Sequence, residues 1–202
     1  MEQRIAEITR KTSETNISIK LNLDGSGVAK LDYPIGFMAH MLNAFTRHGL
    51  FDMEVQATGD LEVDQHHLVE DTGITLGQCF ARALGEKRGI HRQGSCLFPM
   101  DEALARAVVD ISGRSFFVFE GRLSGTPLVS GAASFQTDTI EDFWQAFTGA
   151  AGISLHLDIL RGRSDHHKIE AMFKAAALAL RDAVAIEPRA SDTIPSTKGT
   201  LI

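Results

Sequence analysis

The sequence has little of what would mark it for the cell exterior, for a membrane or for nucleic acid. Two cysteines in 202 residues, Cys79 and Cys96, cannot staple a domain of this size, and both sit in apolar stretches where a reduced, buried thiol is expected. That implies a reducing compartment. No run approaches the ~20 consecutive apolar residues of a membrane span. The first ten residues alternate charged and apolar side chains and lack the apolar block of a secretion signal. The expected setting is the cytoplasm. Positive charge is in deficit: 20 Lys and Arg face 26 Asp and Glu, a net charge of −6, which argues against nucleic acid or an anionic membrane as partner. An anionic ligand therefore has to be met by a local basic cluster. What remains is an ordinary globular composition, 44% hydrophobic, long enough for one sizeable core or two small ones fused.

Residues 3–10 and 15–24 alternate apolar and polar as half-buried strands do, until Asp24-Gly-Ser-Gly27 breaks the pattern; this part reads as a hairpin. A helix is predicted from Phe37 to His48, stopped by Gly49, then a strand at 51–58 and a long amphipathic helix at 66–84 closing at Gly85. The order then repeats. Strands are predicted at 103–112 and 115–120, a helix at 139–149, a strand at 153–160 and a helix at 166–185, with the Gly-, Ser- and Ala-rich residues 121–134 as a loop. Ala44-Phe-Thr46 returns as Ala146-Phe-Thr148 and His66-His-Leu-Val-Glu70 as His166-His-Lys-Ile-Glu170, at offsets of 102 and 100 residues. The fold class is therefore α+β: two similar halves, 1–92 and 93–187, each a β-β-α-β-α unit with a mostly antiparallel sheet and helices on one face, then a tail at 188–202. Exposed sheet edges make side-by-side pairing of the two copies the expected arrangement.

Four of the eight histidines stand in two adjacent pairs, each followed three residues later by Glu. On a helix the first His and the Glu are i and i+4 and share a face, while the second His points about a quarter-turn away, so one motif can serve two metal ions. Both motifs open a predicted helix, where Asp64 or Ser164 can cap and the positive end of the dipole disfavours an imidazolium. A metal requires the neutral imidazole. Any single such histidine is most simply a polar surface residue, but two copies of an uncommon cluster after a helical cap are hard to produce by solvation alone. His40 and His156 lie in apolar surroundings, where an unpaired polar group is costly, and are weaker candidates; His48 and His91 stay unassigned. Six imidazoles and two carboxylates without thiolate suit manganese, iron, cobalt or zinc in a catalytic site with open positions.

Asp64-Gln-His-His-Leu-Val-Glu-Asp71, Ser164-Asp-His-His-Lys-Ile-Glu170, the stretch from His40-Met-Leu42 to Arg47-His-Gly-Leu-Phe-Asp52, and Pro195-Ser-Thr-Lys-Gly199 together resemble the imidazoleglycerol-phosphate dehydratase family over nearly the whole chain. The resemblance implies two α+β halves, each a four-stranded sheet with two helices on one face, related to a domain of small-subunit ribosomal proteins. It also implies a 24-subunit homo-oligomer with active sites between subunits and two manganese ions per subunit. One ion would take His66, His156, His166 and Glu170, the other His40, His67, Glu70 and His167. The substrate phosphate would be met by Arg92, Arg114, Lys174, Ser196 and Lys198, the last two from the tail. Glu14 would be the acid/base, with Glu170 and His67 as further catalytic candidates. Ala39 and Asn43-Ala44 stand where the family commonly carries Asp and Asp-Gln. The implied reaction is dehydration of imidazoleglycerol phosphate to imidazole-acetol phosphate. A dinuclear metallohydrolase acting on a small phosphorylated substrate would use the same ligand types, and an RNA-binding module would follow only from the fold kinship, against the acidic charge.

Overall fold

The computed structural model describes residues 3–130 and 133–201. The first half runs through strands β1 (Ile5–Lys11), β2 (Thr15–Asn22) and β3 (Ala29–Asp32), helix α1 (Gly36–Gly49), strand β4 (Asp52–Gly59) and helix α2 (His66–Leu84). The second half runs through β5 (Gln93–Met100), β6 (Ala103–Asp110), β7 (Phe116–Glu120), β8 (Leu128–Ser130), β9 (Ala133–Phe135), α3 (Thr139–Ala151), β10 (Ser154–Arg161) and α4 (Asp165–Val184). The strands order as β1-β2-β4-β3 and β5-β6-β10-β7, antiparallel except for the parallel pairs β3/β4 and β7/β10. Each half is thus a four-stranded, mostly antiparallel sheet carrying two helices. The architecture is the duplicated α+β one.

Period-two patterning makes these sheets one-sided. In β2, Ile17, Ile19 and Leu21 are fully buried while Asn16 and Lys20 face solvent. Antiparallel pairing of β1 with β2 bears out the predicted hairpin. Three details differ from the sequence-based expectation. Each half contains one more strand, so the repeated unit is β-β-β-α-β-α: β3 in the first half and β5 in the second escaped the pattern. Part of the predicted loop at 121–134 is a two-stranded hairpin, β8 with β9, while Gly131 and Ala132 lie outside the described residues. The left-handed cap of α1 is Leu50, not Gly49.

The halves meet through their helices rather than through sheet edges. Helix α2 packs on α3, and α1 on α4. The reason is local. Gly73 and Gly77, one turn apart on α2, face the α3 backbone so closely that a Cβ on Gly73 would stand 2.4 Å from the Phe143 carbonyl oxygen. Around this contact the aromatic side chains of both halves collect: Trp144 lies 4.8 Å from Phe173 and 6.1 Å from Phe45, ring centre to ring centre, and all three are buried. One continuous core results, and it fixes the N-termini of α2 and α4 relative to each other. Among the described residues no helix is long and apolar enough to cross a membrane.

The packing predicts that Gly73→Ala destabilises the chain by about 1–3 kcal/mol, because overpacking a helix contact outweighs the better helix propensity of alanine. Urea unfolding measures it. A gain in stability would mean that the helices are free to move apart.

Candidate metal centre and phosphate recess

Ser164 caps α4 as its sequence suggests, whereas the cap position of α2 is Gln65 and Asp64 stands one residue before it. Asp64 Oδ1 accepts from the His66 backbone N–H at 2.8 Å, and Ser164 Oγ accepts from the His167 N–H at 3.4 Å. One turn on, the i,i+4 pairs close: His66 Nε2 stands 3.6 Å from Glu70 Oε2, and His166 Nε2 3.3 Å from Glu170 Oε2. The second histidines turn aside, as helical geometry requires, and find other carboxylates. His67 Nδ1 is 3.0 Å from Asp60 Oδ2 and 3.9 Å from Glu14 Oε2; His167 Nδ1 is 2.7 Å from Glu102 Oε2. The hydrogen bond that His67 donates to Asp60 raises the pKa of the imidazole. The hydrogen bond accepted from His167 holds the Glu102 carboxyl down at about 2.

The tightest convergence is at Glu170. Helix α1, packed across α4, brings His40 Nε2 to 3.5 Å from Glu170 Oε2, so that His40, His166 and Glu170 offer three donor atoms within 4.8 Å of one another. This trio draws on both of the ligand sets that the resemblance implied. On the equivalent face of the first half, Asp142 of α3 stands 3.4 Å from His66 Nδ1. Metal–ligand bonds of ~2.1 Å put neighbouring donors about 3–4 Å apart, so the trio fits a divalent ion with adjustments of a few tenths of an ångström. Histidine nitrogen with carboxylate oxygen suits a borderline transition metal.

Two expectations about surroundings are overturned. His40 and His156 are exposed, because the apolar stripe of α1 is Met38, Met41, Leu42 and Phe45, and because His156 lies on the outer face of its strand. His156 therefore stands away from the other candidate ligands, in a cleft of about 610 Å³ with Asp110, Ser154 and Asp182. Lys174, another candidate phosphate residue, stands beside Glu170 on α4. Its ammonium pairs with Glu170 Oε1 at 2.8 Å. Burial alone would push the Glu170 carboxyl up, but the Lys174 ammonium and the His40 imidazole together outweigh it and the pKa is lowered.

The other four candidate phosphate residues do come together. Arg92, Arg114, Ser196 and Lys198 line one recess of about 160 Å³, with Ser112 and Thr197. At ~30 Å³ per water this holds a few waters or one small oxyanion. Arg92 has a left-handed backbone, φ 73°, uncommon for a branchless but bulky residue and a sign of local constraint. Its guanidinium binds Asp110 through two N–H groups and the Pro195 carbonyl through a third, which folds the tail over the recess. Asp110 also lines the His156 cleft, so the two cavities adjoin.

Glu14 is exposed in the β1–β2 turn. Asp71 of α2 holds that hairpin against the motif helix by accepting from Thr15 Oγ1 and pairing with Arg10.

A family model for imidazoleglycerol-phosphate dehydratase matches residues 34–180, across both histidine motifs. The chain belongs to that family. Curated members from Cupriavidus taiwanensis and Lacticaseibacillus casei are 52% and 53% identical to it over 198 residues, covering 98% of the chain and all of each relative. The crystal structure of the family member from Pyrococcus furiosus superposes with a TM-score of 0.80 at 30% identity, covering 96% of this chain and 100% of that one. The Staphylococcus aureus member gives 0.77 at 37% identity over 91% of this chain and 99% of that one. The likeness to the two curated members extends to the β1–β2 turn and into the tail, which lie outside the family model.

Several carboxylates that contact the motifs were not found from sequence: Asp60, Asp101, Glu102 and Asp142. Asp60 and Glu102 lie in turns with no spacing rule to flag them.

Removing Lys174 should leave Glu170 buried without its cation. Lys174→Met is predicted to cost the metal-free protein about 3 kcal/mol, the scale for breaking a largely buried pair. Urea unfolding in chelator reads this; a loss below about 1 kcal/mol would show that water, not Lys174, satisfies the carboxylate.

Proposed function

We infer that the chain catalyses the reaction for which its family is named: removal of water from D-erythro-1-(imidazol-4-yl)glycerol 3-phosphate to give 3-(imidazol-4-yl)-2-oxopropyl phosphate, a hydro-lyase step of histidine biosynthesis. The observation that carries this reading is the pair of His-His-x-x-Glu helix starts together with a basic recess at the opposite end of α4, in a chain that matches the family over 98% of its length. A metallohydrolase would need no such match.

The chemical difficulty is that the C–H to be broken has no neighbouring carbonyl. Divalent ions, manganese in this reading and two per chain, would supply positive charge at the two nitrogens of the substrate ring. His40, His66, His67, Glu70, His156, His166, His167 and Glu170 are the residues that would hold them. The chain's own groups do the rest. Arg114, Ser196 and Lys198 bind the phosphate through charge-assisted hydrogen bonds, and Arg92 keeps the tail in place by its grip on Pro195. As the hydroxyl beside the ring departs, Glu14 takes the proton from the next carbon and returns one to the carbon the hydroxyl left, while the enol O–H proton passes to the departed hydroxide as water, turning the enol into the ketone. Its place in an exposed turn, 3.9 Å from His67, supports this role, because a carboxylate there serves no packing purpose.

Self-association belongs to the same reading. His156 stands among Val108, Phe116 and Leu97, which are 40%, 63% and 59% exposed on the outer face of the second sheet. An apolar patch that surrounds a candidate ligand is a surface for another copy, which agrees with a 24-subunit shell whose sites lie between subunits. A cytoplasmic setting accords with the reduced cysteines and the biosynthetic role.

The test is an assay of the purified chain for the ketone product, with wild type and Glu14→Gln compared. The wild type should dehydrate the substrate with Mn2+ present, and Glu14→Gln should lose ~10²- to 10⁴-fold in kcat with metal content unchanged. Release of inorganic phosphate instead of water would favour hydrolysis. Near-normal turnover in the variant would pass the proton to another group, such as Glu170.

A further inference from the structure

The second histidine of each motif is held by a carboxylate that lies outside the motif. His67 Nδ1 meets Asp60 Oδ2 at 3.0 Å, and His167 Nδ1 meets Glu102 Oε2 at 2.7 Å. An ionised carboxylate only accepts hydrogen bonds, so the hydrogen must sit on Nδ1 of each ring. The lone pair of a neutral imidazole is then on Nε2. We propose that Asp60 and Glu102 are positioning residues: each fixes the tautomer and tilt of its histidine so that Nε2 is presented to a divalent metal ion. The proposal rests on the metal-binding reading of the site.

The two carboxylates reach the same contact from different elements. Asp60 directly follows β4, and Glu102 lies in the β5–β6 turn. That turn is the counterpart of the β1–β2 turn, since β5-β6-β10-β7 repeats β1-β2-β4-β3. Glu102 thus occupies the place that Glu14 holds in the first half. Their surroundings differ in a way that assigns different jobs. Glu102 Oε1 accepts from the backbone N–H groups of Arg163 and Ser164, at 3.2 and 2.8 Å, while its Oε2 is occupied by His167. Both oxygens are committed, and the carboxylate is tied to the start of α4. Glu14 makes no side-chain hydrogen bond among the described residues and stands 3.9 Å from His67, whose Nδ1 is already taken by Asp60. Asp60 thereby leaves Glu14 free to exchange a proton, and Glu102 does for the second half what Asp60 does for the first.

Outer carboxylates of this kind orient a ligating ring and strengthen it as a donor, and their loss typically costs 10- to 100-fold in metal affinity. The experiment is Mn2+ titration of the full-length, metal-stripped protein, read by the free-Mn2+ signal in electron paramagnetic resonance. Wild type is compared with Asp60→Ala, Asp60→Asn, Glu102→Ala and Glu102→Gln. Each alanine variant should weaken one class of Mn2+ site by about 10- to 100-fold. Asn and Gln, which keep a carbonyl acceptor, should restore most of it. Nitrogen NMR of the histidine rings in the metal-free protein should show His67 and His167 as Nδ1–H in the wild type and lose that preference in the matching alanine variant.

Glu102 also holds the first turn of α4, so the melting temperature of each metal-free variant is measured alongside. A purely structural role would lower that temperature and leave the ring tautomer and the Asn or Gln rescue without effect, which overturns the proposal. Wild-type binding with both alanine variants unchanged overturns this proposal alone. A wild type that takes up no Mn2+ overturns the metal-binding reading together with it.

Discussion

The arrangement turns on one carboxylate taken out of water. Glu170 is 8% exposed, and a charge in that position is costly unless opposite charge and donors surround it. Lys174, one turn along α4, meets one oxygen, and the imidazoles of His40 and His166 face the other. His40 can do so only because α1 of the first half packs on α4 of the second. Inter-half helix packing is therefore a requirement of the site, and the close contact at Gly73 and Gly77 with the aromatic cluster around Trp144 supplies it.

Duplication explains the frame, and departures from it explain the chemistry. Carrying His40 forward by the 102-residue offset reaches Asp142, so the same helix face presents imidazole to Glu170 in one half and carboxylate to His66 in the other. The β1–β2 turn carries a carboxylate with free oxygens and the β5–β6 turn one with none to spare. The outer face of the first sheet is polar, with the Lys30–Glu54 pair across β3 and β4, whereas that of the second carries exposed Leu97, Val108 and Phe116 beside His156. In the proposed reading one copy handles the proton and the other offers its outer sheet face to a neighbour.

Much of this was legible in the sequence because it depends on periodicity and identity. Helix α2 was predicted at its observed limits, and the i,i+4 pairing of each His with its Glu follows from helical spacing alone. The two missed strands have physical reasons. β3 is four residues long, too short for alternation to register, and β5 is an edge strand that tolerates Gly94 and Pro99, residues that argue against a central strand. The grouping of His40 with Glu170, the pairing of Lys174 with Glu170 and the contacts of Asp60 and Glu102 with the second histidines depend on chain crossings, which no local pattern encodes. The exposure of His156 was misjudged for a simpler reason: alternation fixes that neighbouring residues face opposite ways, but not which face meets the core.

A single chain gathers His40, His166 and Glu170 and leaves His156 alone on an apolar face, so the central claim is that complete metal sites are shared between copies. Sedimentation velocity of the metal-free protein during a Mn2+ titration tests this directly. The account predicts that the particle grows as Mn2+ is taken up, with full stoichiometry of two ions per chain reached only in the assembled form. Two tightly bound ions per chain on a particle that stays monomeric would contradict it.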